Sequence, residues 1–192
     1  SIESFLIARE KWILRALERV TDRTDAYPDL PVLAQRDSVP YLGGSLRVQY
    51  AACNSRKGRW SLDEPAGLLR VELPDPTSDS WRIGALQSFE KQRTQELVQE
   101  YLRQYLPLFA ERGVAAPAAV RFRIMQSRWG SCSGRTHSLS FNARLCERPH
   151  AFIEYVVVHE LCHFLHGNHS ADFWREVERY LPDWQARRKL GD

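Results

Sequence analysis

Between Val158 and Phe164 the chain reads His159-Glu160-Leu161-Cys162-His163, two imidazoles four residues apart with a carboxylate beside the first. Residues four apart lie on one face of a helix, so both rings can reach a single ion. Glu160, displaced by about 100° around the same turn, flanks that ion. There a carboxylate can take a proton from water and later give it to a leaving group. Imidazole donors suit Zn2+, which in catalytic sites takes three protein ligands and leaves a fourth position for water. The expected chemistry is zinc-dependent hydrolysis, with Zn2+ as cofactor, His159 and His163 as ligands and Glu160 as general base.

Such a site needs a third ligand, and four of the six histidines fall between 159 and 169. His169 comes six residues after His163, the spacing at which HExxHxxGxxH proteases place their third histidine. Gly167 and Asn168 stand between them and let the chain leave the helix and turn back. His166, however, occupies the position where that pattern has its glycine, and the single methionine, Met125, precedes the motif. With no downstream Met-turn, the chain is not expected to be a metzincin. His169 is favoured as third ligand, with His166, Glu176 and Glu178 as rivals. Otherwise His166 is a helix-end histidine that could polarise a substrate oxygen.

The elements that must hold these groups follow from periodicity. Residues 4–20 place Phe5, Leu6, Trp12, Ile13, Leu17 and Val20 near helical spacing, and a proline-containing loop from Tyr27 to Pro40 ends that helix. Short alternating segments at Ser45–Ala51, Arg59–Leu62 and Leu68–Leu73 predict a small antiparallel meander, stopped by Pro74-Asp75-Pro76. A long helix is predicted from Trp81 to about Arg112, with Gly113 beyond its end. Val120–Met125 and Ser138–Asn142 read as a hairpin-like unit around the SRWGSCSGRTH segment. Pro149 opens the metal helix, which is expected to run to Gly167 and to be buried because it is apolar all round. Ser170 caps a last helix that ends before Pro182. The fold class expected is α+β, with the HExxH helix packed on a small, mostly antiparallel sheet. It occupies residues 1–192 as one domain, with the helix and small β part in 1–78 and the metal-binding part in 79–192.

Composition fits that frame. Of 192 residues 43% are hydrophobic and 27% charged, with a net charge of +3, which is the balance of a globular chain. No stretch approaches the roughly 18 apolar residues of a membrane span, so no membrane partner is expected. The basic runs Arg56-Lys57-Gly58-Arg59 and Arg187-Arg188-Lys189 read as a solvated loop and tail. Cys53, Cys132, Cys146 and Cys162 are scattered without a CxxC pair, which points to reduced thiols and a cytoplasmic setting.

The stretch SRWGSCSGRTHSLSFNARL, followed by YVVVHELCHFLHGNHSADFWREVERYLPDW, resembles the YgjP-like metal-dependent hydrolases, a zincin-type group related to the SprT-like proteases. The likeness is clearest over residues 121–190 and extends to the REKWILRAL helix and the YLGG turn. It implies a minimal zincin fold, zinc on His159, His163 and His169, Glu160 as base, and further strands before the first helix. Within RWGSC, Trp129 can pack on the metal helix and Gly130 can permit a turn. Alternatively the segment forms a cleft edge where Arg128 or backbone N–H groups hold an oxyanion, with Asn142 and Arg144 as further candidates. Peptide-bond hydrolysis is the leading function. Hydrolysis of a nucleotide phosphoanhydride, using Arg121, Arg123, Arg128 and Arg144, is the first alternative. A non-catalytic, metal-stabilised module binding nucleic acid or protein is the second.

Overall fold

A computed structural model describes residues 37–191, so the helix expected over residues 4–20 lies outside the described residues. Seven strands and four helices follow in the order β1 (Ser38–Tyr41), β2 (Gly44–Ala52), β3 (Arg59–Asp63), β4 (Leu68–Leu73), α1 (Asp79–Ala110), β5 (Ala119–Arg123), β6 (Gly130–Ser133), β7 (Ser138–Asn142), α2 (His150–Cys162), α3 (Ala171–Tyr180) and α4 (Trp184–Arg188). The class is α+β, as expected, with two sheets of mixed pairing.

The first sheet has the order β1-β2-β4-β3. The expected meander is corrected here, because β2 and β4 run parallel and β4 lies between β2 and β3. Burial explains the order. Leu68, Leu69, Val71 and Leu73 of β4 are all buried, whereas β3 has no fully buried residue and suits an edge. Strand β1, which overlaps the end of the predicted loop, joins β2 through Leu42 and Gly43, both with positive φ (48° and 80°), as a tight two-residue hairpin turn requires. That YLGG turn docks on the rest of the chain. Leu42 and Gly43 donate their N–H groups to the carbonyls of Cys146 and Glu147. A Cβ on Gly43 would lie 2.7 Å from Pro149 at the start of α2.

The second sheet has the order β5-β7-β6. Here too the predicted hairpin is corrected. Strand β5 pairs with β7 in parallel, and the antiparallel partner of β7 is β6, drawn from the segment read as a turn. Every residue of β7 is buried, so this strand needs neighbours on both sides. Strand β6 is left at the edge.

Helix α1 buries Leu86, Phe89, Leu97, Val98, Leu102, Tyr105 and Phe109, a stripe at three- and four-residue spacing. It also buries Thr94, whose hydroxyl donates to Ala143 O (2.8 Å) and accepts from Cys146 N (2.9 Å). This pair of bonds ties the helix to the turn that leads into α2. Thr94→Val keeps the shape but leaves a buried donor and a buried acceptor unpaired, so it is expected to lower stability by about 2–3 kcal/mol. A urea midpoint measurement checks this, with Thr94→Ser retaining most of the wild-type value.

Helix α2 is apolar on all sides, and Phe152, Ile153, Val156, Val157, Val158 and Leu161 are all buried. It ends at Cys162 rather than at Gly167, because Phe164 and Leu165 donate to carbonyls three residues back and tighten the chain. His163 therefore stands at the C-cap instead of mid-helix. Among the described residues no helix is long and apolar enough to cross a membrane.

Candidate metal centre

His159 occupies the last turn of α2 and His163 its C-cap. The chain then turns through Gly167 and Asn168, and His169 directly precedes Ser170. Ser170 caps α3 by accepting the N–H of Phe173 (3.4 Å). One ligand atom from each of His159, His163 and His169 lies within 4.8 Å of the other two, and the Nε2 atoms of His159 and His169 are 3.0 Å apart. The opposite ring nitrogens of the first two are occupied. Nδ1 of His159 lies 3.3 Å from the Tyr155 hydroxyl, and Nδ1 of His163 lies 3.1 Å from the His166 carbonyl. Phe173 packs against the His163 ring and Trp174 stacks on His169, which fixes both planes. Burial holds the basicity of His159 down, to a pKa of about 3, helped by the neighbouring His163, His169 and Arg188. Burial lowers that of His163 too. Both imidazoles are accordingly neutral at pH 7, the form that binds metals.

Glu160 is 5% exposed. Burial raises its carboxyl to about 8, against the opposing pull of Arg128 and of the Cys132 backbone N–H that bonds it. Among the described residues, oxygen Oε2 has no hydrogen-bond partner. Gly130 of β6 faces this side chain so closely that a Cβ there would lie 2.7 Å from both Cγ and Oε1 of Glu160. The glycine of RWGSC is thus a space requirement of the carboxylate. Trp129 does pack on the metal helix, edge-on to Phe152 at 6.0 Å.

Two adjoining cavities meet at this point and share Arg128, Gly130, His159 and Glu160. One, of about 460 Å3, runs along β6 past His163 and His169. The other, of about 390 Å3, lies toward Trp129, Phe152 and α4.

Of the residues singled out from the sequence, His159, Glu160, His163, His169 and Arg128 come together. Asn142 and Arg144 do not line the cleft. The Asn142 amide donates to the carbonyls of Met125 and Arg128 (2.8 and 3.2 Å) and so holds the loop before β6, and Arg144 pairs with Glu147 (2.6 Å). His166 contributes its carbonyl to His163 rather than its ring to the cavity. Of the rival ligands, Glu176 pairs with Arg112 (3.3 Å) and Glu178 is exposed. Cys132 and Cys162 are poor nucleophiles, since burial pushes both thiols up, Cys132 to about 11. Two residues escaped sequence reading. Tyr155 was not among the candidates, although a hydroxyl four positions before His159 faces the same way. Arg188, read as part of a solvated tail, lines the cleft.

Convergent imidazoles beside a buried carboxylate, on an α+β frame, are what a metal-dependent hydrolase of the metallopeptidase kind requires. Residues 1–190 match the YgjP-like, metallopeptidase domain, and the chain belongs to this family. No curated protein shows significant similarity to the chain. The crystal structure of the metallopeptidase zymogen of Pyrococcus abyssi abylysin is similar over 50% of this chain and 87% of that one, at 21% identity and a TM-score of 0.39.

Proposed function

We propose that the chain is a zinc-dependent peptidase in which His159, His163 and His169 hold the ion and Glu160 is the general base. The observation that carries this reading is the convergence of three imidazoles within 4.8 Å, beside a buried carboxylate with one unpaired oxygen. The donor set fits the ion. Tetrahedral zinc, with bonds of about 2.0–2.1 Å, needs ligand nitrogens roughly 3.3 Å apart; the Nε2 atoms of His159 and His169 stand 3.0 Å apart, and all three ligand atoms lie within 4.8 Å of one another. Tyr155 and the His166 carbonyl engage the Nδ1 atoms of His159 and His163, the outer support that orients metal-ligating histidines. When bound, zinc would supply polarisation of a carbonyl and acidification of a water.

Glu160 takes the proton of the attacking water and returns it to the leaving amine. Its place on the lining of both cavities, beside His159, suits that shuttle. The Cys132 N–H holds one carboxylate oxygen in place, and the other has no partner among the described residues. Strand β6, at the sheet edge beside the same cleft, can pair with an extended peptide by backbone hydrogen bonds. Three of the four arginines offered for nucleotide phosphates, Arg121, Arg123 and Arg144, are absent from the lining of either cavity, which favours a peptide over a nucleotide. The four free cysteines support a reducing, cytoplasmic setting.

Metal analysis, combined with turnover of a peptide library and a nucleotide panel, tests the assignment. We expect about one zinc per chain, peptide cleavage abolished by a chelator and restored by Zn2+, and no nucleotide turnover. Undiminished activity of metal-free protein, or cleavage of nucleotides but of no peptide, would reject it.

A further inference from the structure

The cavity of about 390 Å3 beside Glu160 and His159 is walled by Trp129, Phe152 and Tyr155, and two arginines, Arg128 and Arg188, share its lining. Arg128 stands in the loop before β6, its carbonyl held by the Asn142 amide at 3.2 Å. Arg188 ends α4, with its guanidinium 5.7 Å from the centre of the Trp174 ring. Neither makes a salt bridge among the described residues, whereas the adjacent Arg187 is tied to Glu154 and Asp183. Among the described residues the one carboxylate on this lining belongs to Glu160, which is buried and already bonded to Cys132. Both cations nonetheless reach the centre electrostatically, Arg128 acting on Glu160 and Arg188 on His159.

We infer that this cavity is a specificity subsite for a carboxylate of the peptide, held between Arg128 and Arg188 with its methylenes against the aromatic wall. The inference rests on the peptidase reading above. A guanidinium meets a carboxylate through two parallel hydrogen bonds, and apolar walls strengthen such a pair by lowering the local dielectric. The volume is at the small end of ligand pockets and suits one side chain or a chain end. A peptide lying along β6 would bring successive residues past the centre and deliver one of them here. The carboxylate has two sources, an Asp or Glu side chain or the C-terminus of the peptide.

Equilibrium binding distinguishes them. The full chain carrying Glu160→Gln, which preserves the peptides, is loaded with zinc and titrated calorimetrically with three N-acetylated hexapeptides. One has a single Glu and an amidated end, one has Gln in its place and an amidated end, and one has Gln and a free C-terminus. We expect the first or the third to bind about tenfold more tightly than the second, and the tighter one names the source. Adding Arg188→Glu should erase that advantage and favour a Lys-containing peptide, while Arg188→Lys should retain part of it. Arg128→Gln serves as the second variant should Arg188→Glu fold poorly. Equal affinities for all three peptides would overturn the inference. So would a preference indifferent to Arg188→Glu in protein with wild-type Tm, or binding of a nucleoside triphosphate without any peptide preference. A carboxylate preference in a chain whose wild type cleaves no peptide would keep the subsite and sink the peptidase reading instead.

Discussion

Replacing Glu160 with glutamine is expected to lower peptide turnover about 10^2- to 10^4-fold with zinc content unchanged. The variant keeps the shape of the side chain and an oxygen for the Cys132 N–H. It removes only the capacity to accept a proton, so the loss should appear in kcat rather than in KM. Folding is not at risk, because the carboxylate is costly where it stands. Burial works against its ionised form, and one oxygen lacks a partner among the described residues. An amide there carries no charge to desolvate, and we expect a Tm equal to or slightly above that of the wild type. Metal analysis, thermal unfolding and steady-state kinetics on one preparation separate these outcomes. Wild-type turnover with full zinc occupancy would remove Glu160 from the reaction.

What the sequence disclosed about this centre was local. The four-residue step from His159 to His163 is a property of a helix and could be read directly, and so could the burial of a helix without a polar face. His169 followed from a spacing and from a glycine that lets the chain turn. The lateral order of strands could not be read in this way, because alternation states which faces a strand buries and not which strand lies beside it. Strand β4 therefore lies between β2 and β3, and the turn-like GSCS segment became the edge strand β6. Asn142 shows the same limit at a single residue. A polar side chain in a buried strand must be bonded to something, and either a cleft ligand or a loop carbonyl satisfies that need. Its partners, the carbonyls of Met125 and Arg128, are set by a loop path that periodicity does not reveal. Arg188 was hidden by its neighbours, since a run of basic residues near a terminus usually faces water.

Gly130 joins the two motifs, and its replacement by alanine carries the second large effect. A Cβ at this position would sit 2.7 Å from Cγ and Oε1 of Glu160 and 3.0 Å from Cδ, distances at which atoms must move. Two responses are open: β6 can withdraw from α2, or the carboxylate can rotate away. The first breaks the bond from the Cys132 N–H and widens the cleft, and the second removes the base from its station. Either disturbs the fit between the carboxylate and the cleft by about 1 Å, enough to cost roughly 10^2-fold in turnover. The crowding itself should lower stability by about 1–3 kcal/mol. Gly130 offers no side-chain ligand atom and is not one of the three clustered histidines, so zinc content should persist. Gly84→Ala is the matched control. It lies within α1, nothing among the described residues stands within 4 Å of the added carbon, and alanine favours a helix interior by about 0.5–1 kcal/mol. That variant should be slightly more stable and fully active. If Gly130→Ala kept wild-type kcat and stability, the close approach of RWGSC to Glu160 would not be what that glycine serves.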